Sequence, residues 1–256
     1  MRRILEKQRR VLERAAAIGF ALAVWQALAA AVGSAWLLAS PARTVCVLLD
    51  LLGQPSFWKT LGFSFVRITG GYLSALLIGS LLAAAAGASR AVELLLWPFL
   101  SAIKATPVAS FIILCLIWLN ARQLSVFISF LMVLPIVYTN LLAGIRARDV
   151  RLAEMARVFS IGRGTRFVYI DLPQLRPYIE SACSVGVGLA WKSGIAAEVI
   201  GIPTGSVGER LYQAKIYFST GELFAWTAAA VLCSILLEKA LRRLLTWFFD
   251  RLEAGV

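Results

Sequence analysis

In the segment GLAWKSGIAAEVIG, residues 188–201, a lysine and a glutamate, Lys192 and Glu198, interrupt an otherwise apolar run. A charged side chain in hydrocarbon costs about 2.5 to 3.5 kcal/mol on insertion scales, so such residues usually turn toward a bundle interior or a water-filled cavity. The chemistry they offer is a cationic point on the route of an anionic or polar solute or, using both residues, an ion relay. On one straight helix the two side chains diverge by about 120° and lie about 9 Å apart along the axis. Each is therefore expected to find partners on another helix or on a second copy of the chain. The bland alternative is that Lys192 snorkels to the interface, with Glu198 at headgroup level.

Reactive chemistry of other kinds is largely excluded. The chain has no histidine, so the commonest proton shuttle and metal ligand is missing, and no GxxxxGK[ST] loop that would cradle nucleotide phosphates. The 14 carboxylates are dispersed, which argues against a divalent-metal site. Cys46, Cys115, Cys183 and Cys233 are scattered, form no CxxC pair, and read as small buried hydrophobes. No catalytic residue, metal or cofactor is expected in the chain, which is not read as an enzyme. Work against a gradient must draw on a partner or a coupled ion.

The elements that position Lys192 and Glu198 follow from composition. Of 256 residues, 60% are hydrophobic and 16% charged, and the mean hydropathy is +0.79. This is the composition of an integral membrane protein. A hydrocarbon core of roughly 30 Å takes about 20 helical residues to cross, and backbone groups there must satisfy one another, so the spans are helices. Six are read, near Ile18–Leu38, Ile68–Ala88, Leu94–Leu119, Leu124–Ile145, Ile179–Ile202 and Leu223–Leu241, with Pro98 and Pro107 interrupting the third. The fold class is an all-α membrane protein forming one transmembrane domain, 1–256, with a basic N-terminal segment, 1–17. With both termini inside, 19 of the 26 basic residues fall on the cytoplasmic side, six lie outside, and Lys192 is within a span. That is the positive-inside pattern. The net charge of +12 thus orients the chain in its membrane and gives no reason to invoke nucleic acid. A signal peptide cleaved near Ala29–Ala31 is the alternative to an intact first span; the apolar stretch is long for a signal core and precedes further spans, which favours the span.

Small residues recur every four positions in two spans: Gly71, Ala75, Gly79, Ala83 and Gly87 in the second, and Ala182, Gly186, Ala190 and Gly194 in the fifth. Such ridges let backbones approach closely. They serve either tight packing or, lacking interlocking knobs, a sliding surface for alternating access.

One stretch belongs in water: VRLAEMARVFSIGRGTRFVYIDLP, Val150–Pro173. Leu152, Met155, Ala156 and Phe159 share one face of a helix of two to three turns. A glycine-rich break, IGRGT, follows, then a second short apolar piece, after which Pro173 and Pro177 are expected to stop and redirect the chain into the fifth span. A helix this short is marginal alone, so it should be held by its own bundle or a docked protein. Burying Leu, Met and Phe is worth roughly 1.5 to 3 kcal/mol each. A membrane-surface position, with the arginines on lipid phosphate, is the competing reading.

The spacing from Glu154 through Ala156 and a short turn to Leu172-Pro173 resembles the EAA loop of binding-protein-dependent ABC-importer permeases, with Met155 at the usual second alanine, Ser160 at the usual loop glycine and Gly162 two residues late. The likeness runs from about Phe57 to Leu252, and AWKSGIAAEVIG, SVGERLYQAKIY and ELFAW look like the nitrate, sulfonate and taurine branch. The resemblance implies a type I, MetI-like permease in a bacterial plasma (inner) membrane, paired with a second copy. A cytoplasmic ATP-binding subunit would bind ATP and magnesium, and an extracytoplasmic solute-binding protein would deliver cargo. On that reading Leu152, Glu154, Met155, Ala156, Phe159, Ser160 and Gly162 form the ATPase-coupling loop, Leu172-Pro173 passes motion into the fifth span, and the solute is a small anion such as a sulfonate or nitrate, or a vitamin precursor. A stand-alone carrier or channel relying on Lys192 and Glu198 is the alternative; no internal repeat supports it.

Overall fold

Apolar runs of this length leave the backbone no partner but itself, and in the computed structural model, which describes residues 2–34 and 36–254, the chain is helical nearly throughout. Its helices are α1 (Arg2–Val32), α2 (Pro41–Leu52), α3 (Pro55–Ala88), α4 (Arg90–Ala105), α5 (Val108–Cys115), α6 (Ala121–Arg146), α7 (Val150–Val158), α8 (Arg163–Arg166), α9 (Leu172–Gly201), α10 (Val207–Ile216) and α11 (Thr220–Ala254), with a π-helical turn at Phe167–Asp171. Among the described residues five helices are long and apolar enough to cross a membrane, or six if α4 and α5 count as one broken span.

Two expectations are corrected. The third span is not one helix: α4 and α5 meet at 104°. Pro107 is the cause, because it forces the preceding Thr106 into extended backbone (φ −79°, ψ 130°), whereas Pro98 lies inside α4 without breaking it. Nor do Pro173 and Pro177 stop the chain, which is helical from Arg163 to Gly201. Pro173 falls in the first turn of α9, where its missing N–H is tolerated, and the π turn joins α8 to α9, the Leu172 N–H bonding to the Phe167 carbonyl.

The chain forms two compact units. In the first, Met1–Lys59 with Arg210–Ala229, the α1 indole of Trp25 donates to the Ala39 carbonyl at 3.1 Å and packs on Phe224. Phe57 stacks on Trp226 at 4.8 Å. Ser40 caps α2 and Pro41 opens it.

The second unit, Thr60–Glu209 with Ala230–Val256, is built round α6. Its Leu134, Tyr138 and Leu142 pack with Leu100 of α4 and Ala83 and Ala86 of α3, while Leu124, Ile128 and Met132 pack with Ile112 and Cys115 of α5 and Ala197 of α9. The bent pair thus lies along α6, one arm at each level. The small-residue ridges are notches. A Cβ at Gly71 would lie 2.3 Å from the Val126 carbonyl oxygen, one at Gly79 2.9 Å from Val137 Cβ, and one at Gly87 2.7 Å from Ile145 Cγ2. On α9, Gly186 faces the Tyr72 ring and Val133, and Gly194 faces Ile68 and Ser129. Val137 and Ile145 therefore act as knobs seated in the α3 ridge, and α3, α6 and α9 interlock.

Candidate functional site: a pinned, bare helix and a buried carboxyl

Both features lie in the second unit, at opposite ends of α9. At its start, α7 is capped by Asp149, whose carboxylate accepts the Arg151 N–H at 2.8 Å. The helix ends with Ser160 at φ +53°, the left-handed conformation glycine adopts most easily. Ile161 N–H reaches the Ala156 carbonyl at 2.9 Å and Ser160 N–H the Arg157 carbonyl at 3.0 Å, the paired bonds of a Schellman cap. The glycine-like role at the end of α7 thus falls on Ser160. Gly162 has an ordinary φ of −59°.

The sides of α7 divide sharply. Ala156 is buried, whereas Leu152, Glu154 and Met155 are exposed, as are Val158 and Phe159, at 81% and 72%. Two contacts pin the helix's base, and a third ties α8 to the π turn. The Asp149 N–H donates to Gln174 Oε1 at 2.8 Å, and Asp171, buried beside the π turn, pairs with Arg148 at 3.3 Å and Arg166 at 3.5 Å. The end of α6, the base of α7 and the start of α9 are therefore joined by polar contacts through Arg148, Asp149, Asp171 and Gln174. Helical spacing marks the bare face of α7 but gives no sign of this joint, because its members come from segments about 25 residues apart. Leu172 and Pro173 are both half-buried just after it.

At the other end of α9, Glu198 is fully buried. Its Oε2 accepts the Ser64 hydroxyl of α3 at 2.6 Å and the Gly208 N–H, in the first turn of α10, at 3.3 Å, and Ser64 Oγ accepts the Val207 N–H at 2.9 Å. The carboxyl and hydroxyl together satisfy free N–H groups at the start of α10. Gly208 permits this approach: a Cβ there would lie 2.3 Å from the carbonyl carbon of Glu198. Ser206 Oγ accepts the Glu209 N–H at 3.0 Å and so caps the start of α10. Ser64 lies 134 residues from Glu198, and no sequence pattern joins the two.

Lys192 points away from this cluster. It is exposed, with no hydrogen-bond or ion-pair partner among the described residues, while Trp191 and Ser193 beside it are buried. Lys192 and Glu198 are thus separate: one a bare, exposed cation, the other an internal clasp.

The fold and these features define a polytopic helical membrane protein whose α7 is pinned at its base and bare on its outer face. Residues 75–254 match the family described as the binding-protein-dependent transport system inner membrane component. An aliphatic sulfonates transport permease of Bacillus subtilis is 28% identical over 80% of this chain and 74% of its own length. The taurine transport system permease of Escherichia coli is 26% identical over 80% and 76%, and a nitrate import permease of Synechocystis 27% identical over 75% and 72%. The chain belongs to the binding-protein-dependent family, the membrane-spanning permeases of ABC importers, in the branch that includes these relatives.

Proposed function

We propose that two copies of this chain enclose the path of a small anion across a bacterial inner membrane, and that α7 receives force from a cytoplasmic ATP-binding subunit. An extracytoplasmic binding protein delivers the solute at the α10 end, both termini lie in the cytoplasm, and ATP and magnesium are bound by the partner. The observation that carries this reading is the state of α7. A nine-residue helix keeps Met155, Val158 and Phe159 in the open while Asp149, Ala156 and the Asp171–Arg148 ion pair hold it to the bundle. Exposed apolar side chains on a pinned base are the form of a docking knuckle: Phe159 and Met155 enter the partner's groove, Glu154 and the neighbouring arginines set register, and Arg148, Asp171 and Gln174 pass displacement to α6 and α9. Relatives named for sulfonates, taurine, nitrate and bicarbonate support a small anionic solute.

Phe159→Asp tests the coupling. A buried Phe is worth up to about 3 kcal/mol, so the variant should reach the membrane in normal amount yet bind the ATP-binding subunit about a hundredfold more weakly. Co-purification and solute uptake should both fall. Wild-type co-purification with wild-type uptake would remove α7 from the mechanism.

A further inference from the structure

An anion's route needs cationic groups that the protein has not already neutralised. The cleft of about 640 Å³ between α3, α6 and α9 at the α7 end supplies none of this kind; its lining is apolar apart from groups such as Ser80 and Arg148, and Arg148 is paired to Asp171. The α10 end differs. There Arg67 of α3 lays its guanidinium on the ring of Phe63, 4.3 Å from the centroid. Stacking occupies one face of the group and leaves the in-plane N–H donors free. None of them has a hydrogen-bond acceptor among the described residues, and Nε is buried. Arg122, in the first turn of α6, and Glu198 are both close enough to act on Arg67 electrostatically. Yet Glu198 forms no salt bridge with it: Oε2 is taken by Ser64 and Gly208. Glu198 Oε1 has no hydrogen-bond partner either, yet no ion pair joins it to Arg67, so Arg67 keeps open donors beside a second guanidinium, that of Arg122.

Depth adds a second constraint. Arg67 is 21 residues from the end of α3 at Ala88, about 32 Å by helical rise and so about one hydrocarbon thickness from the α7 end. Gly194 packs on Ile68, which places Lys192 about 5 Å nearer the α7 end than Arg67. Two cations without ion-pair partners among the described residues thus lie at neighbouring depths, Arg67 on α3 and Lys192 on α9.

We propose that Arg67, assisted by Arg122, is the entry site for a small singly charged oxyanion of the sulfonate type, which Arg67 binds through its guanidinium fork before passing it toward Lys192. This rests on the reading of the chain as an anion permease. A fork of parallel N–H donors matches two oxygens of a sulfonate or nitrate, a fit that chloride cannot reproduce.

The test measures binding to the permease alone in nanodiscs, by calorimetry, with ethanesulfonate and its uncharged relative ethyl methyl sulfone. Ethanesulfonate should bind and the sulfone should not, and Arg67→Gln should weaken ethanesulfonate at least about tenfold. Arg67→Lys keeps the charge without the fork; it should lose preference for ethanesulfonate over chloride, a readout that a purely structural arginine would not move. Equal binding of sulfone and sulfonate, no binding of ethanesulfonate by the wild type, or wild-type affinity in Arg67→Gln would each overturn the site. If Arg67→Gln does not fold, an unchanged ethanesulfonate-over-chloride preference in Arg67→Lys overturns it. The ATP-binding subunit is absent from the assay, so a failure here leaves the α7 coupling untouched, and a failure of the Phe159→Asp test leaves this result standing.

Discussion

Glu198 shows how one buried carboxyl can matter through its acceptors more than through its charge. Its Oε2 receives a hydroxyl from α3 and an N–H from α10, and Ser125 lies beside the carboxyl. Replacing it by Ala leaves the Ser64 and Gly208 donors buried without an acceptor, at about 1 to 3 kcal/mol for each, and adds a cavity. Glu198→Gln keeps a carbonyl oxygen for both donors and offers its amide to Ser125. Thermal unfolding of the purified permease should therefore show a drop of several degrees for Glu198→Ala and less than half of that drop for Glu198→Gln. Equal losses would mean that charge, not hydrogen bonding, holds the clasp. The sequence showed that Glu198 needed a partner off its own helix, since six residues of α9 turn it away from Lys192. It could not show which partner, because Ser64 and Gly208 carry no pattern that marks them as donors to a distant carboxyl.

At the scale of elements, the long spans were legible because hydrocarbon length and hydrogen-bond closure leave few options. Breaks and joints were less so. Two prolines in the third apolar run looked alike, yet only Pro107 bends the chain, because the residue before it takes up an extended backbone that Pro98's neighbour does not. The spacing of Leu152, Met155, Ala156 and Phe159 marks α7 as a helix, but the glycine-rich break IGRGT, with Gly162 at an ordinary φ, does not show that the left-handed residue is Ser160. A Cβ in that conformation costs about 1 to 2 kcal/mol, partly offset in glycine by the entropy it loses on folding. Ser160→Gly should thus strengthen the Schellman cap by about 1 kcal/mol. Hydrogen exchange at the amides of Ser160 and Ile161 should slow about fivefold, since these two donate the closing bonds. Faster exchange in the variant would mean that the serine side chain supports the turn. The knobs of Val137 and Ile145 in the α3 ridge were also hidden, since four-residue spacing specifies a notch and not what fills it.

For the whole molecule, the orientation decides which end meets the ATP-binding subunit and which meets the solute. It follows from the asymmetry about α6, whose 26 residues run about 39 Å, enough to cross the hydrocarbon. Arg122 stands at one end; from Arg146 through Arg176 the other end carries seven arginines, on and around α7. Such an excess is retained on the cytoplasmic side during insertion. Gln123 and Arg157 are both exposed and flank these ends, which makes them suitable reporters. In a variant without its four cysteines, Gln123→Cys should react with a membrane-impermeant maleimide in right-side-out vesicles, and Arg157→Cys only after the membrane is opened. The reverse pattern would place α7 outside, beyond reach of any nucleotide-driven partner, and put the Arg67 mouth on the cytoplasmic face, so the coupling and entry proposals would both fail in a single labelling experiment.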